Sequence, residues 1–328
     1  MGALYPVRFE PIFKEMMWGG NRLAFSSRAL PFEHTGESWD ISCREKEMGV
    51  VANGRHRGKT FIEYINTDKN KILGSAHAAA GDFDFPLLIK FIDANDFLSV
   101  QVHPDDAYAR KADSYPFGKN EMWYVADAPE GSYLIIGLKD GVTKNEFKNA
   151  LESGRGVGDM LNRLYVKSGD AVDIPAGLVH AVGKGVLIAE IQQNSDLTYR
   201  VYDYGRAGLD GKPRALHIEK ALDVIDFEQK IPKRKINGRP VPRDGYSVTR
   251  LVENPFFCVE KYEIKTVMRS RTDVRRFSVY TCVGGRAKIL SPGNEPAALD
   301  FGVSIFMPAA LDEYNIEGEC ELLFSYAP

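Results

Sequence analysis

Cysteine is scarce in this chain. The four thiols, Cys43, Cys258, Cys282 and Cys320, stand far apart and form no CxxC pair. That spacing argues against a disulfide framework and against a thiolate metal site, and leaves buried, reduced thiols as the expectation. Long apolar runs are missing too: nothing approaches the roughly 18 residues of a membrane span. Arg8, Glu10 and Lys14 interrupt the N-terminal region before any signal-peptide core can form. Pro6 occupies the place where a myristoylation pattern needs Ser or Thr. No charge sign dominates. The formal net charge is −3 and the pI about 6.1, so no general attraction to nucleic acid is expected. No Gly-rich phosphate loop is seen. These absences predict a cytoplasmic protein, monomeric or weakly dimeric, with neither a membrane nor a nucleic-acid partner.

What is present is strand pattern. With 328 residues, 44% hydrophobic and 27% charged, the chain has the length for a large core and two domains. Short alternating runs predict strands over 5–13 and 36–52. The run 86–103 reads as two strands around a turn at Asp93-Ala94-Asn95-Asp96, and 121–138 as two more around Pro129-Glu130-Gly131. Strand pattern resumes over 164–204 and again from 244 to the end. Helical spacing appears over 59–72. Thr143 with Glu146 makes a capping box, with Gly154 as the stop, and 214–227 also reads as helical. Residues 76–80 read as a small-residue linker. The polar, Pro-containing stretch 234–243 marks the expected boundary between a 1–235 domain and a 236–328 domain. An internal echo supports duplication: GDAVDIPAGLVH at 169–180 aligns with GVSIFMPAALDE at 302–313, with His180 opposite Glu313.

The chemistry gathers around SVQVHPD, residues 99–105. Val100 and Val102 alternate with Ser99, Gln101 and His103, which therefore share one strand face. Pro104 ends the strand and Asp105 begins a helix cap. GKNEMWYV supplies Glu121, and the Pro-Ala-Gly turn of 175–177 precedes His180. Two imidazoles, a carboxylate and a neutral oxygen donor compose a Zn²⁺ site with room for water or substrate. Lys90 lies mid-strand in an apolar run, where a charge must find a partner. Trp39 and Trp123 read as core, and Trp18 as a weak candidate for the binding site. His34, His56 and His77 read as exposed, and His217 as a cap or surface group.

These motifs resemble known ones. Gly169-x₅-Pro175-x-Gly177-x₂-His180 resembles the second motif of the cupin superfamily, with Lys184 where Asn is usual. The first cupin motif departs, as Gln101-x-His103 with its Glu delayed to 121. IKFIDANDFLSVQVHPDD, GKNEMWYV, IPAGLVHA and EIQQNSDLTYRVYDYGR together are similar to the short bacterial branch of type I mannose-6-phosphate isomerases (phosphomannose isomerases). The WGG and GESWDIS segments share this likeness. The resemblance implies an all-β fold, a cupin-type jelly-roll barrel with helical insertions followed by a second, smaller β-barrel without metal. It implies Gln101, His103, Glu121 and His180 as zinc ligands, although Gln101 could instead hydrogen-bond the sugar. It assigns Arg200 a catalytic role, with an ion pair to Asp203 as the plain alternative. Lys119 and Glu190 are candidates for proton transfer, and Ser99, Lys90 and Trp18 for binding a phosphorylated hexose. The implied reaction interconverts mannose 6-phosphate and fructose 6-phosphate. An Fe(II)-dependent cupin oxygenase and a non-enzymatic sugar-phosphate binder are the alternatives.

Overall fold

Consecutive strands of this chain step back and forth between two facing sheets. The structure, a computed structural model, describes residues 3–25, 28–79, 81, 84–228, 235–236 and 238–328. Leu87–Asp93 lies in a six-stranded sheet and Val100–Val102 in a five-stranded one. The same step separates Glu121–Asp127 from Tyr133–Leu138, Ala171–Ile174 from His180–Ala181, and Leu187–Gln193 from Tyr199–Tyr202. The two predicted strand pairs therefore exist, but their partners pair across the sheets' own neighbours rather than with each other. Side chains such as Ile92, Trp123, Val172 and Ile188 from the first sheet meet Leu134 and Ile136 from the second.

Both outer faces are covered as well. Leu87, Ile89, Phe91, Met122 and Ala189 pack against Phe9, Val279, Phe306 and Leu323 of a ten-stranded sheet. Val100, Val102, Ala181 and Val201 pack under the helices Lys144–Ser153 and Ile218–Val224. Burial on both faces is why LLIKFID and LIAEIQQ lack a polar alternation, with Lys90 and Glu190 set among apolar neighbours. The ten-stranded sheet draws Val7–Glu10 and Val50–Val51 from the N-terminal region and the remaining strands from Val241 onward. All three sheets are open in their hydrogen-bond order, so the fold is mostly β without a closed ring.

Helix ends follow their local chemistry. Thr143 and Glu146 close a capping box and Gly154 ends the helix in the left-handed region, at φ 65°. Asp105 caps Asp106–Asp113. The run 59–72 is two short helices, because Asp68 accepts a hydrogen bond from the Lys71 amide and starts a second one, Lys69–Leu73. Only Ile218–Val224 of the expected 214–227 segment is helical. The echo is visible too: Gly169 and Gly302 both take positive φ, 90° and 78°, each just before a strand that ends at a proline. Of the expected boundary stretch 234–243, residues 234 and 237 lie outside the described residues, as does Ala80 of the 76–80 linker. Among the described residues no helix is long and apolar enough to cross a membrane.

Phe306 joins the two halves. It is fully buried and its ring meets those of Phe9, Phe61, Phe85 and Phe277. Phe306→Ala is expected to cost about 3–5 kcal/mol in equilibrium urea unfolding, the usual toll of emptying a large aromatic site.

Candidate metal centre and adjoining cavity

The metal centre starts from two backbone carbonyls. His103 Nδ1 lies 2.7 Å from Leu197 O, and His180 Nδ1 lies 2.8 Å from Leu178 O. A carbonyl only accepts, so each Nδ1 carries the proton and each Nε2 presents a lone pair. Those two Nε2 atoms face one another at 3.1 Å. Burial first, then neighbouring charge, pushes both rings below the ordinary histidine range, His180 to about 3, so both are neutral near pH 7.

Glu121 completes the cluster. Its Oε1 is 3.3 Å from His103 Nε2 and its Oε2 is 3.8 Å from His180 Nε2. Despite burial, which opposes charge, the Lys119 ammonium holds Glu121 ionised well below the usual carboxylate range. Neither of its oxygens accepts a hydrogen bond, although Lys119 ion-pairs with Oε1. The ligand atoms of these three residues all lie within 4.8 Å of one another. The Gln101 amide sits 3.4 Å from His180 Nε2, because Gln101 and His180 are register partners in adjacent strands. Lys119 Nζ, 3.2 Å from His103 Nε2, brings positive charge to one side of the cluster, and two inward imidazole nitrogens, a carboxylate and a nearby amide form an N₂O donor set that suits Zn²⁺.

A row of alternating charge runs from this cluster across the inner face of the six-stranded sheet. Glu37 holds Lys90 at 3.3 Å, and Lys90 reaches Glu190 at 3.5 Å. Glu190 is 3.7 Å from Lys119, which pairs with Glu121. Register makes the row: Lys90 lies opposite both Trp39 and Glu190, and Glu190 opposite Trp123. Burial opposes charge on Lys90, but Glu190 and Glu37 outweigh it and keep the ammonium protonated. Glu190 moves the other way: burial and then the Glu121 charge raise it, against the pull of Lys90 and Lys119.

These groups open onto a cavity of about 400 Å³. Trp18, Lys90, Ser99, Gln101, Lys119, Glu190 and Arg200 line it, while the buried His103, Glu121 and His180 are not among its lining residues and adjoin it through Lys119 and Gln101. Arg200 Nε donates to Ser99 Oγ at 3.2 Å and NH1 to Ala215 O at 2.9 Å. The alternative partner, Asp203, is engaged by Arg206 and Arg214. Arg200 thus has no carboxylate within ion-pair distance among the described residues. His217 accepts the Arg200 amide at 3.2 Å and so approaches the site from behind. His56 and His77 are half-buried rather than exposed, with His77 Nε2 3.3 Å from Ala327 O.

Other lining residues were not legible as site residues. Trp39 and Trp123 are buried, as expected of core, yet both also line the cavity. Trp39 Nε1 donates to Glu37 at 2.6 Å. Glu37, Lys14 and Arg214 line it too. The only advance signal for Glu37 was its two-residue spacing from Trp39, which puts both on one strand face. Lys90→Met is expected to destabilise the fold by about 3–5 kcal/mol in urea unfolding, since Glu37 and Glu190 would be left as buried charges short of a partner.

Comparison with known proteins agrees with this geometry. Residues 7–149 match the family model "Phosphomannose isomerase type I, catalytic domain", and residues 247–327 match "Mannose-6-phosphate isomerase, cupin domain". The chain is 39% identical to GmuF of Bacillus subtilis, named a probable mannose-6-phosphate isomerase, over 98% of this chain and 99% of that one. It is 35% identical to the mannose-6-phosphate isomerase of Streptococcus mutans, over 97% and 98%. The crystal structure of the mannose 6-phosphate isomerase from Bacillus subtilis superposes with a TM-score of 0.89 at 34% identity, covering 98% of this chain and 99% of that one. With both family models and full-length relatives in agreement, the chain is an enzyme of the type I mannose-6-phosphate isomerase family.

Proposed function

We propose that this enzyme interconverts mannose 6-phosphate and fructose 6-phosphate by moving one proton between C2 and C1 through an enediol. The observation that carries this reading is the placement of the His103–Glu121–His180 cluster beside one cavity that also holds an Arg200 guanidinium without a carboxylate partner. A sugar phosphate needs both features, one for its oxygens at C1 and C2 and one for its negative charge.

His103, Glu121 and His180 would hold Zn²⁺, with Gln101 as a fourth donor. When bound, the ion supplies Lewis acidity toward the substrate's carbonyl and hydroxyl oxygens. The remaining work falls to side chains. Arg200, braced by Ser99, offers a fixed guanidinium to a phosphate or to the charge that builds on oxygen as the proton leaves. Glu190 is the base we favour. Burial raises its proton affinity toward the range useful near neutral pH, and Lys90 and Lys119 hold it in place from two sides. Lys119 also keeps Glu121 ionised, which preserves the carboxylate as a ligand. Trp18 supplies a wall of the cavity against which a sugar ring can lie. We also read the six- and five-stranded pair as a jelly roll, and the chain as a catalytic unit through 235 followed by a C-terminal unit.

A coupled assay with mannose 6-phosphate tests the reading. Chelation should abolish turnover and added Zn²⁺ should restore it. Metal found as iron, with oxygen uptake instead, would identify an oxygenase. Arg200→Ala should keep its metal and lose about 10²–10³-fold in kcat/KM; full activity in that variant would refute the role given to the guanidinium. Glu190→Gln should lose about 10²–10⁴-fold in kcat with metal retained.

A further inference from the structure

We infer that a second cavity, separated from the first by a single ion-paired wall, binds an uncharged polyhydroxylated ligand of the free-hexose class. This cavity measures about 420 Å³ and is lined by residues 43–47 and 115–117 with Asn194 and Asp196. Glu47 and Asp196 border both cavities. Arg44 knits the wall between them. Its guanidinium pairs with Asp196 at 2.6 Å and Glu47 at 3.5 Å, hydrogen-bonds the Tyr115 hydroxyl, and lies 5.8 Å from the ring centres of Trp39 and Tyr115. Glu47 also holds Lys14 on the catalytic side, at 3.1 Å.

Three observations define the ligand. Asn194 is 2% exposed; its Nδ2 donates to Cys43 O at 3.3 Å, but its Oδ1 accepts nothing. A buried acceptor left without a donor is costly, and because Asn194 lines the cavity a turn of its side-chain amide toward a ligand hydroxyl would relieve that cost. Charge sets the class. Arg44 and Lys46 face Glu45, Glu47 and Asp196, two cations against three carboxylates. The catalytic cavity reverses this, with Lys14, Lys90, Lys119, Arg200 and Arg214 against Glu37, Glu47, Glu190 and Asp196. A phosphorylated sugar is therefore drawn to the first cavity and disfavoured in the second. Finally, Tyr115 and Phe117 present aromatic surface beside planar carboxylate and amide groups. That combination suits a pyranose, which has an apolar C–H face and a rim of hydroxyls. A ligand seated there would share Glu47 and Asp196 with the catalytic wall, so its binding and that of the substrate would be thermodynamically linked.

Titration calorimetry of the full chain with methyl α-D-mannopyranoside tests this, because that glycoside cannot open to an aldehyde and is no isomerase substrate. Saturable binding is expected, within about twofold of wild type in Arg200→Ala and weakened about tenfold or more in Asn194→Leu and Phe117→Ala. The exposed Glu45→Ala, which leaves the core untouched, should weaken it about two- to fivefold. Wild-type affinity in the Phe117, Asn194 and Glu45 variants would overturn the proposal. So would loss of binding in Arg200→Ala, or no saturable heat up to about 50 mM.

Discussion

Two hydrogen bonds to main-chain carbonyls set the geometry of the candidate metal centre. Leu197 and Leu178 each take the Nδ1 proton of a histidine, and both rings are thereby turned so that their lone pairs converge. Lys119 Nζ lies 3.2 Å from His103 Nε2 and the Gln101 amide 3.4 Å from His180 Nε2, and burial keeps both rings neutral. Converging lone pairs beside a carboxylate call for positive charge, which Lys119 supplies from one side and a shared metal ion would complete, the usual consequence of an outer shell that fixes tautomer and orientation. The rest of the fold can be understood as what holds those two carbonyls, those two rings and Glu121 in register.

The alternation of the chain between two sheets is how register is kept. Each pair of consecutive strands delivers one residue to the six-stranded face and another to the five-stranded face opposite. Lys90 and Gln101 are brought in by one such pair, Glu190 and Arg200 by another. The charged groups stand on one sheet and the amide and guanidinium on the other, with the cavity between them. Burying five charges in a row would be prohibitive singly. They are tolerated because each ammonium lies between two carboxylates, so every member has a partner within 3.7 Å. The same row leaves Glu190 more basic than an ordinary carboxylate, the property on which its proposed role as base rests.

Much of this was legible before any coordinates. The alternation in SVQVH put Ser99, Gln101 and His103 on one face, and all three reach the site. Thr143 and Glu146 marked a helix start because a capping box is local chemistry. The paired glycines at 169 and 302 announced two strand starts of the same kind. What was not legible depended on long-range packing. A sheet covered on both faces loses the polar alternation that distinguishes inside from outside, so Glu37 and Trp39 in TGESWDI gave no sign of which side they served. Trp123 was read as core and is core, but core that borders a cavity, a distinction burial alone cannot make. Arg214 follows an irregular loop and reaches the site only because Asp203 holds its guanidinium in two places, at 2.7 and 2.6 Å. The break in the 59–72 helix came from Asp68 offering its carboxylate to a new helix start, a local competition that apolar spacing does not register.

The central claim is that His103, His180 and Glu121 share one transition-metal ion at the wall of the sugar-phosphate cavity. Anomalous diffraction from crystals of the protein, collected above and below the zinc absorption edge, tests it most directly. A single peak within bonding distance of both Nε2 atoms and the Glu121 carboxylate, present only above the edge, is expected. Crystals grown with added Zn²⁺ that show no peak there, or show it elsewhere while the two imidazoles keep their places, would contradict the account.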